Sequence, residues 1–388
     1  MWWAVIRDGL VLLALASFAY YVVAIIAALR FFGGRRGPDA VPSDFTPPLS
    51  ILKPIYGLDR ETYENYASFC LQDYPEYEIL FCVSDEQDPA IAVIAELARK
   101  FPERAIRLIV GAEPLGVSDK VNKLCRMVRE AAHEIVVVSD SDVRVGPDYL
   151  RAIAAPFHDP KVGAVTCLYR GLTDGSLAAN LEAVGNSTDF TAGVLVAWLL
   201  GDVNFTLGAT MATTKTRLAE IGGFEALVDH FSDDYELGNR IATCGHRVVL
   251  SNFPVAIVYP QQTLGDAFRH QLRWNLSIRY SRPAGHSGLI FTQGLPLALL
   301  AAVAAPSAAW SVALVIGYLI LRGASAWVIG VWGMGDGLLR RKMELLPLRD
   351  LFAFVVWVVS FFPQRILWRG REFYVREKKL VAAGGRER

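Results

Sequence analysis

Asp140 and Asp142 follow directly on the apolar run Ile135-Val136-Val137-Val138. A short β-branched run reads as a buried strand. Two carboxylates spaced i, i+2 at its end can turn together toward one hard divalent cation. Mg²⁺ and Mn²⁺ take oxygen ligands and keep positions open for substrate phosphates. The local reading of Ser139-Asp140-Ser141-Asp142 is therefore a metal–diphosphate site at the edge of an α/β sheet, where such sheets bind ligands. A D-x-D pair by itself also suits a surface turn. A second cluster, Asp233-Asp234-Tyr235-Glu236, opens a segment with helical character to Ala242. Either Ser232 or Asp233 caps that helix, or a carboxylate near its N-terminus serves as general base toward a hydroxyl. The third is Arg269-His270-Gln271-Leu272-Arg273-Trp274. Its Arg can neutralise a diphosphate leaving group and its Trp can face a sugar or lipid. The same segment would also serve as a basic interfacial helix.

The elements that must position these groups read as alternating strands and helices from Leu49 onward. Leu49-Ser50-Ile51-Leu52 is a strand stopped by Lys53-Pro54, Glu61 to Leu71 a helix, Glu78 to Val83 a strand, and Pro89 to Lys100 an amphipathic helix. Ile106 to Val110 is again a strand and Lys120 to Ala132 a helix, leading to the strand before Asp140. The alternation predicts a mostly parallel sheet with helices on both faces. Val194 to Leu200 is apolar but too short to span a bilayer, and reads as a buried or interfacial helix. Five isolated cysteines, with no CxxC and no His at zinc spacing, read as reduced core residues of a cytosol-facing domain.

Composition adds a membrane. Hydrophobic residues make up 53% of the chain and the mean hydropathy is +0.31, high for a soluble enzyme. The 39 basic and 39 acidic residues cancel, so net charge gives no argument for nucleic acid. Val11 to Leu29 is uncharged, and as a helix would rise ~28 Å, enough to cross the hydrocarbon core. Arg30, Arg35 and Arg36 follow it, which places the large middle region in the cytoplasm. Leu289 to Pro306 and Trp310 to Trp332 read as two further spans. Arg322 interrupts the second and should face protein or water rather than lipid. Leu351 to Phe362 is apolar but short, is followed by Pro363 and a basic tail, and reads as a re-entrant or interfacial helix.

The order of these pieces resembles one family: membrane-bound glycosyltransferases of the ceramide glucosyltransferase type (family 21, family 2-like), which have the GT-A fold. The resemblance covers nearly the whole chain. Leu52-Lys53-Pro54 with Gly57, then Asp73-Tyr74-Pro75, looks like the family's opening strand and helix. Asp88 matches the first of three family aspartates, Asp140 the second and Asp234 the third. Lys120 and Asn122 resemble its Lys-x-Asn element, and Trp368-Arg369-Gly370-Arg371 its basic C-terminal segment. The closing Q/R-x-x-R-W motif departs at its first position, which here is His270, although Arg273-Trp274 is intact. In this the chain resembles the bacterial hopanoid-glycosylating branch. The His that animal ceramide enzymes carry in the region matching Asn186 to Phe190 is also missing.

The resemblance implies an α/β GT-A (Rossmann-like) domain with flanking transmembrane helices. It divides the chain into 1–32 anchor, 33–48 linker, 49–285 cytoplasmic catalytic domain, 286–335 two transmembrane helices, 336–372 basic loop with the re-entrant or interfacial helix, and 373–388 basic cytoplasmic tail. The implied enzyme is a UDP-sugar-dependent hexosyltransferase of the bacterial inner membrane, inverting at the anomeric carbon. One hexose, glucose, passes to the primary hydroxyl of ceramide; the alternative is N-acetylglucosamine to a hopanoid or other lipid alcohol. Asp140 and Asp142 would hold Mg²⁺ or Mn²⁺ against the UDP phosphates. Lys53, Asp85, Asp88, Lys120 and Asn122 would bind the nucleotide. Asp234 would act as base, with His270, Arg273 and Trp274 completing the catalytic set. A processive polysaccharide synthase shares the motifs but normally has more spans, and a non-catalytic lipid-binding protein would not need all three aspartates.

Overall fold

The computed structural model describes residues 2–34, 45–305, 307–362, 366–368 and 371–382. Residues 35–44 of the expected linker, Pro306, Pro363, Arg365, Arg369, Gly370 and residues 383–388 lie outside the described residues. The chain divides into two compact units. A sheet unit comprises Arg36–Tyr169, Val203–Pro260 and Arg365–Arg388; a helical unit comprises Met1–Arg35, Arg170–Asp202 and Gln261–Gln364.

In the sheet unit the strands are β1 (Leu49–Pro54), β2 (Tyr77–Val83), β3 (Ala105–Val110), β4 (Ile135–Val138), β5 (Val143–Arg144), β6 (Val162–Leu172), β7 (Met211–Thr214) and β8 (Arg247–Val258). They form one sheet in the order β3-β2-β1-β4-β7-β6-β8-β5. The first four run parallel, with Leu52 level with Leu80 and with Val138. β4 then pairs antiparallel with β7, β7 with β6, and β8 with β5. The sheet is thus mixed, parallel from β3 to β4 and joined antiparallel by β7, where the sequence predicts a mostly parallel one. The physical reason is the connection: between β6 and β7 the chain leaves for the helical unit, and the strands flanking that excursion run antiparallel.

β2 and β4 are buried along their whole length, as expected of central strands covered on both faces. β3, at the sheet edge, exposes several positions including Arg107, and a charged edge resists pairing with another chain. The helix Asp119–Glu130 presents Val121, Leu124 and Cys125 at i, i+3, i+4 to a core that includes Leu52, Leu80, Val136 and Val138. Its N-terminus is capped by Ser118, whose Oγ accepts from the amide of Val121 at 3.4 Å. Three further strands, β9 (Ile366–Trp368), β10 (Arg371–Arg376) and β11 (Lys379–Ala382), form a small antiparallel sheet.

Among the described residues, the helical unit has two helices long and apolar enough to cross a membrane, Val5–Gly33 and Ala308–Gly333. The stretch expected as one span from Leu289 is bent: Pro283–Thr292 and Gly294–Ala304 meet at 56°. At the break a Cβ on Gly294 would fall 2.2 Å from the Tyr318 ring, so the chain passes that ring only with glycine. Arg322 is buried, as the sequence predicts for an arginine inside a span, and its guanidinium meets Asp350 at 2.9 Å and also Asp189. The helix Leu346–Val359 carries Asp350. With 14 residues it rises about 21 Å, short of the bilayer core.

Candidate active site

Because β1, β2 and β4 are parallel, the residues that follow them emerge along one edge of the sheet. The strand order reverses between β1 and β4, where open α/β sheets form their ligand crevice. Lys53 and Asp140 sit on the two sides of that point. Lys53 is wholly buried, and its Nζ donates to the Asp140 carbonyl at 2.8 Å and to Ser139 Oγ at 3.5 Å. Burial lowers its pKa to about 7 against the opposing pull of Asp140 and Asp142. Lys53 thus lies beneath the aspartates, bracing the backbone that carries them.

Above that brace, Lys120 gathers the carboxylates. Its Nζ lies 2.9 Å from Asp140 Oδ1 and 3.2 Å from Asp233 Oδ2. Burial opposes the charge on Lys120, but Asp140 and Asp233 overcome it and hold the ammonium above the ordinary lysine range. Asp140 keeps 38% of its side chain exposed, so one face of the carboxylate remains open to a ligand. At Asp142, burial, then Asp140 and Asp59, push the carboxyl up to about 7.

Asp234 begins the helix Asp233–Thr243. That helix packs tightly because of Gly238, where a Cβ would fall 2.3 Å from the amide nitrogen of Thr206. The close approach brings Asp234 to the 206–208 loop. Thr206 Oγ1 donates to its carbonyl at 2.7 Å, the Gly208 amide to Oδ2 at 3.1 Å, and the Tyr235 amide to Oδ1 at 2.8 Å. A Cβ on Gly208 would stand 3.3 Å from Asp140 Oδ2 and 3.5 Å from Asp234 Oδ2. The second and third aspartates therefore converge on one glycine. Burial, then Asp233, raise the Asp234 carboxyl to about 6 although Lys120 lowers it. Ser232 precedes the helix but makes no side-chain cap bond.

The remaining residues of the expected nucleotide set form the rim. Asp88 accepts from the Gly57 amide at 2.9 Å through Oδ2 and from the Ala90 amide at 2.9 Å through Oδ1. This clasps the loop after β1, where Gly57 has φ +66°, to the start of the helix Ala90–Lys100. Asp85 is exposed and caps its own turn through the Gln87 amide at 2.8 Å. Asn122 is buried, and its amide both donates to and accepts from the backbone of Gly116, at 2.9 and 3.0 Å. It shapes the loop leading to Lys120 through these bonds.

Among the described residues no three His, Cys, Asp or Glu side chains group as an all-protein metal cage. Asp140 and Asp142 offer two hard carboxylates, which suits a cation that completes its shell with diphosphate oxygens and water. The residues fit a shared cation, not a self-sufficient one.

The helical unit holds the third motif. On the helix Leu264–Ser281 the ring of His270 lies 4.7 Å from that of Trp274, and Trp274 lies 6.4 Å from Phe190. His270 Nδ1 is 2.9 Å from Oε1 of Glu182. Arg273 and Trp274 both have further partners. In the segment Asn186–Phe190, Asp189 accepts from Arg322 and, at 3.0 Å, from Arg349. Sequence reasoning missed Asp233 as the second partner of Lys120, and it missed Glu182 and Asp189. The one available signal for Glu182 was a lone acidic residue in the otherwise uncharged run Leu177–Gly185.

Comparison with known proteins identifies the family. The family described as "Glycosyl transferase family 21" matches residues 9–381. Ceramide glucosyltransferase 1 of Caenorhabditis elegans is 30% identical over 274 residues, 69% of this chain and 58% of that protein. Ceramide glucosyltransferase 3 of the same organism is 27% identical over 64% of this chain and 54% of its own length. The chain therefore spans a little over half the length of these curated relatives. Among solved structures, a mannosyltransferase from Pyrobaculum calidifontis in complex with GDP-Man and Mn2+ is 18% identical with a TM-score of 0.49, covering 90% of this chain and 99% of that one. With motifs in family order and a match across nearly its whole length, the chain belongs to glycosyl transferase family 21.

Proposed function

We propose that this protein transfers one hexose, glucose, from a UDP-sugar to the primary hydroxyl of ceramide, at the cytoplasmic face of a membrane that its apolar helices span. The observation that carries the reading is the convergence of Asp140 and Asp234 on Gly208, with Lys120 shared between Asp140 and Asp233. Such an arrangement can bind a diphosphate on one side and deprotonate a hydroxyl on the other. Asp140 and Asp142 would hold Mg²⁺ or Mn²⁺ together with the diphosphate, and a cation bound there would supply Lewis-acid neutralisation of the leaving group.

The chain's own residues do the rest. Asp88, Asp85 and Asn122 shape the nucleotide rim, Lys53 braces the Asp140 backbone, and Lys120 keeps the carboxylates from repelling the donor. Asp234 removes the acceptor proton as the hydroxyl oxygen bonds to the anomeric carbon. The bond from that carbon to the phosphate oxygen breaks with its electron pair leaving on UDP, and the configuration inverts. The raised pKa of Asp234 suits a base working near neutral pH. Arg273 is assigned to the charge on the departing UDP, and Trp274 and His270 to the sugar, on the strength of the motif they form.

A second acceptor reading, N-acetylglucosamine to a hopanoid or other lipid alcohol, is favoured by His270 in place of Gln or Arg and by Asn186–Phe190 lacking a histidine. The test is direct. Purified protein is incubated with UDP-glucose or UDP-N-acetylglucosamine and with ceramide, diacylglycerol or a hopanoid, and the product is identified by mass. A single-sugar ceramide supports the first reading and a glycosylated hopanoid the second. A polymer, or no metal-dependent UDP binding, removes both.

A further inference from the structure

Glu182 is the one carboxylate in the run Leu177–Gly185, and it is fully buried. A buried carboxylate is costly unless several donors meet it. Here they are His270 Nδ1 at 2.9 Å and Gln271 Nε2 at 3.1 Å, both on Oε1, and Gln262 Nε2 on Oε2. We propose that Glu182 is a positioning residue for His270: it fixes which ring nitrogen carries the hydrogen, and presents Nε2 as the atom that meets the substrate.

The argument is one of donors and acceptors. Burial pushes the Glu182 carboxyl up, but the hydrogen bonds of His270 and the two glutamines help bring it below the ordinary glutamate value. An ionised carboxylate only accepts, so Nδ1 must carry the hydrogen. The ring is then held from two directions, by Glu182 at Nδ1 and by the Trp274 ring 4.7 Å away on the next helical turn. His270 still exposes 29% of its side chain, so the ring is anchored at Nδ1 without being sealed from solvent.

The orientation of Gln271 is fixed in turn. Its Oε1 accepts from Arg349 Nη2 at 3.2 Å, and a guanidinium only donates. The Gln271 NH₂ must therefore face Glu182. Arg349 is itself held by Asp189 at 3.0 Å through Nε. A chain of groups with obligatory donor or acceptor roles thus ends on one imidazole tautomer.

The experiment is a double-mutant cycle on the full-length protein, with Glu182→Gln and His270→Gln alone and together. Its activity arm rests on the glycosyl transfer proposed above. Glu182→Gln is expected to lower kcat on the order of 10–100-fold, as loss of a partner that orients a functional histidine does, with KM for the UDP-sugar within about twofold. In the His270→Gln background the same change should alter kcat by less than about twofold. An equal loss in both backgrounds, or none in the wild type, overturns the proposal. The second arm needs no turnover. ¹⁵N-histidine NMR of the detergent-solubilised protein, with His270 assigned by its replacement among six histidines, should show the Nδ1–H form in wild type and a tautomer mixture in Glu182→Gln. An unchanged tautomer overturns the inference. If no sugar and lipid pair reacts with wild type, the transfer reading fails, and the tautomer still decides this one.

Discussion

Two clusters of charge in this protein use the same residue types to opposite ends. In the helical unit, Arg322 and Arg349 meet Asp189 and Asp350, two cations against two carboxylates, all but Asp189 nearly devoid of solvent. At the sheet edge one ammonium, Lys120, is shared by Asp140 and Asp233, with Asp142 and Asp234 close by and pushed toward neutrality. The first cluster is balanced, and its charges serve to hold helices. The second has more carboxylates than cations, an imbalance on which the proposed cation and diphosphate would draw. Compensation, more than residue type, separates a structural ion network from a reactive one.

The sharpest way to break that comparison is at the reactive cluster. Asp234→Asn is expected to lower kcat by about 10²–10⁴-fold, the range of a general base, while UDP-sugar affinity measured calorimetrically stays near wild type. Retained turnover would remove Asp234 from the base role. Asp140→Ala should abolish metal-dependent UDP binding and exceed the loss from Asp142→Ala; equal losses would assign the two carboxylates equal parts.

The balanced cluster should respond in stability instead. Arg322→Leu leaves Asp350 and Asp189 without their shared partner and should cost about 3–5 kcal/mol, read as a lower thermal midpoint in detergent. Metal-dependent UDP binding by the protein that remains folded should be unchanged. If binding fell first, the two clusters would not be independent.

Acid separates them next. With its pKa near 6, Asp234 is about nine-tenths ionised at pH 7 and about one-tenth at pH 5. The rate should fall about tenfold per pH unit below 6. The sign for stability is the reverse. A carboxyl raised in the folded state binds its proton more tightly there than in the unfolded chain. Its ionisation weakens folding above pH 6, and that penalty is relieved as pH falls toward the ordinary aspartate value. Acid should therefore stop turnover while this group's own contribution to folding becomes more favourable. The smallest effect is expected from Gly208→Ala. A Cβ 3.3 Å from Asp140 Oδ2 demands only a slight shift, so a few-fold rise in KM for the donor is expected, with no change in thermal midpoint.

What the sequence revealed was local. The buried β-branched run before Asp140, the helix opened by Asp233-Asp234 and the arginine buried within an apolar helix all follow from local pattern and hydropathy within a short stretch of chain. The fold missed a detail at β7, whose antiparallel pairing depends on where the chain goes between strands. The site missed whatever is closed over long separations. Lys53 reaches Asp140 across 87 positions and Glu182 meets His270 across 88, and no spacing rule connects such pairs. The bend at Gln293 was hidden for the same reason, since Tyr318 lies in another helix.

The Asp88–Gly57 and Asn122–Gly116 clasps bear on timing. Both loops at the sheet edge are tied down by side-chain bonds from the protein itself. Their conformational entropy is lost once, when the chain folds, and not again at each encounter with a ligand. A rim assembled in advance lets arrival of the proposed donor be governed by diffusion and charge, leaving slower rearrangement to delivery of the proposed acceptor.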